Sequence, residues 1–136
     1  MATVREVDEV ALALSNRSRA ALSTPAESFR AAWEAWGMWA NGGFELILTG
    51  GLADEAEHVV ASLRYVGAER EASLFEQAFG LVDGGIDRRN EQWCEDEELQ
   101  AHAGRLDRAV ADLPDLTEAV LAPMLDRVPA LRNSLS

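Results

Sequence analysis

Apolar residues recur at intervals of three and four along most of this chain, and strict alternation is nearly absent. That period turns one face of an α-helix toward a core, whereas a half-buried strand needs a period of two. Val4, Val7, Val10, Ala11 and Leu14 follow it, and Thr3 and Glu6 have capping-box spacing. A helix over 3–22 is expected, frayed where Ser15, Asn16 and Ser18 weaken the pattern. Thr24-Pro25-Ala26-Glu27 is a stronger start, with Thr24 as cap and Pro25 in the first turn. Phe29, Trp33, Trp36 and Trp39 then fall within about a third of a helix circumference. Without a basic groove beside them, they read as core packing rather than as a platform for stacked bases.

Glycine pairs punctuate the rest. Asn41-Gly42-Gly43 stops the tryptophan helix, because both residue types tolerate a left-handed terminal conformation. Phe44 to Leu48 is a short apolar run that reads as a short helix ended by Gly50-Gly51. Leu52 to Val66 and Ala68 to Val82 are amphipathic and meet at Gly67, which implies a helical hairpin. Asp83 to Trp93 holds Gly84-Gly85 and a polar run, Asp87 to Asn90, and is expected to be a surface loop. Glu95 to Val110 is a helix with Leu99, His102, Ala103, Leu106 and Val110 on one side. Pro114 opens a last helix to about Arg127, kinked by Pro123. The expected fold class is all-α, one domain over 1–136 with about six or seven short helices.

Charge restricts the partners. The 136 residues carry 24 acids and 12 basic residues, a net charge of −12, and every basic residue is arginine. Such a chain is repelled by nucleic acid and by anionic membranes. No apolar run approaches a membrane span, and Met1 to Glu9 lacks the apolar core of a secretory signal, so a cytoplasmic location is expected. Residues 45–98 alone hold fourteen acids against four arginines. The candidates for an acidic face are Asp54, Glu55, Glu57, Glu69, Glu71, Glu76, Asp83, Asp87, Glu91, Glu95, Asp96, Glu97 and Glu98. Acids in first helical turns also favour the helix dipole and keep a protein in solution, which needs no partner. Gathered on one side, they present negative charge to a basic surface. Carboxylates one helical turn apart lie about 5–6 Å from each other, and phosphates on one strand of duplex DNA follow at about 3.4 Å of axial rise.

Little points to catalysis. Cys94, the one cysteine, excludes an internal disulfide, and the acids at 95–98 oppose a thiolate there. Glu55 and His58 have the E-x-x-H spacing of di-iron bundles, but the second such pair is missing. Asp83 and Asp87 lack calcium-loop spacing. No lysine exists to complete a phosphate loop. No catalytic residue, metal site or cofactor is expected.

Ala40-Asn41-Gly42-Gly43-Phe44-Glu45 follows the aromatic helix. An Ala-containing helix, the Tyr65-Val66-Gly67-Ala68 turn and a helix with Phe75 and Ala78 come after it. This order, over about residues 28–127, resembles a bacterial family of small acidic all-helical proteins named after a DNA-mimic member. There an N-G-G-F element precedes a helix ending in a G-A turn. Leu46, Ile47 and Leu48 depart from it, being aliphatic where the family is usually polar and aromatic. The resemblance implies an acidic protein, dimeric in the named member, whose carboxylates replace DNA phosphates on the DNA-binding surface of a transcription regulator. Asn41, Gly42, Gly43 and Phe44 carry over as a structural element only. The expected function is therefore a non-enzymatic DNA mimic that blocks a basic DNA-binding protein, with homodimerisation as an accompanying expectation. The alternatives are an immunity or antitoxin-like inhibitor of a basic nuclease, or a helical domain without mimic activity.

Overall fold

The computed structural model describes residues 1–135, and among them there is no strand. Seven α-helices form: α1 (Val4–Ser15), α2 (Thr24–Thr49), α3 (Ala56–Tyr65), α4 (Glu69–Phe79), α5 (Ile86–Glu95), α6 (Glu97–Ala111) and α7 (Ala122–Arg127). Because α2 breaks at Gly43, the described residues hold eight helical rods, slightly more than the six or seven expected. No helix among them is long and apolar enough to cross a membrane.

The apolar stripes close on one core. Val7, Val10, Ala11 and Leu14 of α1, Phe29, Ala32 and Trp36 of α2, Val59 and Leu63 of α3, Ala72, Phe75 and Ala78 of α4, and Ala103, Leu106 and Val110 of α6 are buried together. The long helix α2 is the centre, packing against α1, α3, α5 and α6. Phe44 and Phe75 meet edge to face at 5.1 Å between ring centroids. The tryptophan stripe is core at its centre and polar at its edges. Trp36 is buried, while the half-buried indoles of Trp33 and Trp39 donate N–H to Asp8 at 2.9 Å and Asp107 at 3.0 Å.

Local signals explain most boundaries, with four corrections. The first helix ends at Ser15 rather than near residue 22; beyond it the polar run has no apolar stripe to bury, and only a 3-10 turn, Arg19–Ala21, follows. Ser23, not Thr24, caps α2, its Oγ accepting from the Ala26 amide at 3.3 Å. The segment 83–93 is not a loop, since α5 begins at Ile86. Gly84, at φ 79°, makes the turn that precedes it. Pro123 enters α7 through a π turn, Thr117–Leu121, in which the Ala122 amide reaches back to the Thr117 carbonyl. Such a turn absorbs a missing amide donor by widening the helix. At Gly67, φ is 95°. The Ala68 and Gly67 amides donate to the Leu63 and Arg64 carbonyls at 2.9 and 3.0 Å, a Schellman cap joining α3 to α4.

The N-G-G-F element has a partner far away in sequence. Gly43 takes φ 64°, which breaks α2 into two limbs and frees the Phe44 amide. That amide and the Trp39 indole both donate to Oδ1 of Asp107, at 2.9 and 3.0 Å. A Cβ on Gly43 would lie 3.0 Å from both carboxylate oxygens of Asp107. Gly43→Ala is therefore expected to cost about 2 kcal/mol in urea unfolding, from backbone strain plus the clash. Asp107→Ala is expected to cost about 2 kcal/mol by orphaning two donors. The double variant should lose less than the sum, because removing the carboxylate removes the clash.

Candidate functional site

The thirteen candidate carboxylates separate into four groups. Five are held by the protein's own arginines. Asp54 pairs with Arg89 at 2.8 Å, Glu55 with Arg19 at 2.6 Å, Glu69 and Glu76 with Arg64 at 3.7 and 3.2 Å, and Asp83 with Arg88 at 2.7 Å. Hydrogen bonds from Arg88 and then Gln92 hold the Asp83 carboxyl below the usual carboxylate range. Glu71 leaves the face altogether, being only 5% exposed. Its spacing from Phe75 and Ala78, four and seven residues, puts it on the inward side of α4. Asp96 is exposed but structural, capping α6 by accepting the Leu99 amide at 3.0 Å. Glu57, Asp87, Glu91, Glu95, Glu97 and Glu98 are exposed and form no salt bridge among the described residues, though Glu91 is close enough to Arg88 for their charges to interact.

Three of those six line up because of one buried cation. Arg89, 2% exposed, points into the fold. Its guanidinium donates to the carbonyls of Leu48 at 2.9 Å, Gly50 at 2.7 Å and Gly84 at 2.7 Å, as well as to Asp54. Helix C-termini leave carbonyls without amide partners, and Arg89 satisfies those ending α2. Asp87 and Glu91 stand two residues before and after it, which at about 100° per residue turns both outward. Glu95 follows one turn later, so the three form a ridge about 12 Å long. Asp96 ends α5 and begins α6, whose first turn carries the exposed Glu97 and Glu98. Cys94 sits on α5 beside this ridge and is exposed. Glu57 stands apart, in the first turn of α3.

Glu55 and His58, the E-x-x-H pair, belong to a separate network that ties α2 to α3. His58 Nε2 lies 2.6 Å from Glu27, while Glu55 reaches Arg19. Glu27 also accepts from Arg19 at 3.3 Å and from buried Arg30 at 2.5 and 2.9 Å; Arg30 further pairs with Glu34. Among the described residues no group of three or more His, Cys, Asp and Glu is placed to hold a metal. Burial by itself would raise the Glu27 pKa. Hydrogen bonds from Arg30 and His58, with the charges of Arg30 and Arg19, overcome that and bring it from 4.5 to about 2. A carboxylate with a depressed folded-state pKa stabilises fully above its unfolded value and ceases to do so as pH falls through the folded one. Helical circular dichroism is therefore expected to show stability declining as the pH falls from about 4.5 to about 2. Glu27→Gln should be less stable at neutral pH and show a shallower decline.

No curated protein and no solved structure matches the chain. Residues 20–128, spanning α2 through α7 with the ridge and the Gly43 break inside them, match the family described as DMP19-like protein, and the chain belongs to that family.

Proposed function

We propose that this is a non-enzymatic acidic binder that occupies the basic DNA-binding surface of a regulator or other DNA-binding protein and keeps DNA from it. The observation that carries the reading is the exposed row of Asp87, Glu91 and Glu95 on α5 with Glu97 and Glu98 opening α6; none of the five forms a salt bridge among the described residues, and the one arginine whose charge acts on them, Arg88 beside Glu91, is held by Asp83. A surface arginine pair cancels much of a carboxylate's field, so the five acids held by arginines contribute little. Apart from Arg88 beside Glu91, the ridge keeps its charge, and the net −12 of the whole chain draws a cationic protein toward it. Arginines and lysines that grip phosphates would meet carboxylates one helical turn apart. Occlusion is then competitive, with no covalent step.

The test begins with identification of the protein that co-purifies with the native chain, followed by titration of that pair. Its affinity is expected to fall by about tenfold or more between roughly 50 and 200 mM salt. Duplex DNA carrying the partner's site should displace the protein. Glu91→Gln with Glu95→Gln should weaken binding by about tenfold, whereas Glu69→Gln with Glu76→Gln, already held by Arg64, should change it little. Salt-independent binding, or simultaneous binding of DNA, would overturn the reading.

A further inference from the structure

Glu57 has no place in the ridge, yet it is exposed and outside every salt bridge of the described residues. It lines a groove of about 410 Å³ between α3 and α4. That volume lies within the roughly 300–1,000 Å³ of sites that hold small molecules. Glu57, Ala61 and Arg64 follow each other at spacings of four and three, so one face of α3 makes one wall. Glu76, Phe79 and Gly80 make the other, from the last turns of α4. Ala61 and Gly80 leave the space open, having no side chain long enough to fill it. Val60, 6% exposed, and half-buried Phe79 give the groove its apolar surface. The Phe79 ring is held edge to face by Phe75, 6.3 Å between centroids.

Charge is arranged along the length of the groove. Arg64, in the last turn of α3, reaches across to Glu69 and Glu76 of α4 at 3.7 and 3.2 Å. This pair of contacts bridges the two helices on the side of the Gly67 turn. Glu57 stands two turns earlier on α3, about 10 Å along the axis, where the hairpin opens. One end is thus crossed by a guanidinium that already has its carboxylates. The other carries a carboxylate without a cation.

That asymmetry selects the occupant. An anion meets no open cation, because Arg64 is taken, and the net −12 of the chain repels it. A neutral apolar molecule would strip water from Glu57 and return nothing to it. An extended peptide laid along the groove would run into the Arg64 bridge. A small cation on an apolar frame incurs none of these penalties. Its frame covers Val60 and Phe79 while its charge pairs with Glu57. We infer that the groove between α3 and α4 is a binding site for a small organic cation, an amine or guanidinium on an apolar frame, with Glu57 as its counter-ion. The site shares no residue with the ridge and stands or falls apart from the DNA-mimic reading.

The 4-phenylbutylammonium ion serves as probe, with uncharged 4-phenylbutanol as its control at equal ionic strength. Binding is read from amide chemical shifts of the full chain. The ion is expected to shift amides around Val60 and Gly80 saturably, and to bind about tenfold more tightly than the alcohol. Glu57→Gln should bring ion and alcohol to equal affinity; circular dichroism establishes that the variant keeps its helices. Ala61→Trp, which fills the groove without altering charge, should weaken both. Asp87→Asn with Glu91→Gln should leave both unchanged. Equal affinity of ion and alcohol for the native protein overturns the site, as does a preference that survives Glu57→Gln. So do binding indifferent to Ala61→Trp, shifts centred on α5, an affinity lowered by the ridge variant as much as by Glu57→Gln, or no saturable shift at millimolar probe.

Discussion

The rotation of α5, and with it the outward row of carboxylates, is set by a guanidinium buried beneath it. Arg89 lies at the end of α2, surrounded by the Leu48, Gly50 and Gly84 carbonyls and the Asp54 carboxylate. Removing one member of such a buried set leaves the others desolvated and unpaired, a cost of about 3–5 kcal/mol where a charge is involved. The arrangement therefore holds α5 in one rotation about its own axis. That single rotational setting sends Asp87 and Glu91 outward and keeps Trp93 beside Glu45. An apolar residue at position 89 would bury readily, but it would offer nothing to the three carbonyls.

Asp107 does for the middle of α2 what Arg89 does for its end. The helix breaks at Gly43, and the amide released by the break is collected by a carboxylate from α6. The same oxygen holds Trp39, which stacks on Trp36 at 5.1 Å between ring centroids. A bend in the central helix, the seating of an aromatic pair and the docking of α6 are thus parts of one interaction. Two polar side chains, each satisfied by backbone from another element, position what the apolar core alone leaves free to slide.

Legibility in the sequence follows the same division. Helices buried through apolar residues at three- and four-residue spacing, such as α3, α4 and α6, were readable because their periodicity is local. The Gly43 break was readable too, since glycine is the residue that tolerates φ 64° without strain. Helix α5 was hidden because its inward anchor is an arginine, so a polar run looked like a loop. The clue was Ile86 and Trp93, seven residues apart on either side of Arg89. Glu71 was misplaced for the complementary reason: an acid at a core-spaced position was grouped by its charge instead of its register. Asp107 had no local signature, since its partners are 63 and 68 residues away. Of the candidate acids, composition could name the region but not the pairing. Arg19 and Arg89 reach across the fold to Glu55 and Asp54, and only tertiary structure tells a neutralised carboxylate from an open one.

Asp96 closes α5 and caps α6 within a single residue, so no slack chain separates the two rods. The acidic ridge is consequently an elbow of fixed angle rather than a string of charges on a pliable loop. The carboxylates of α5 and those opening α6 therefore keep one spacing and direction relative to each other, set by the two rods rather than by thermal motion of the chain between them.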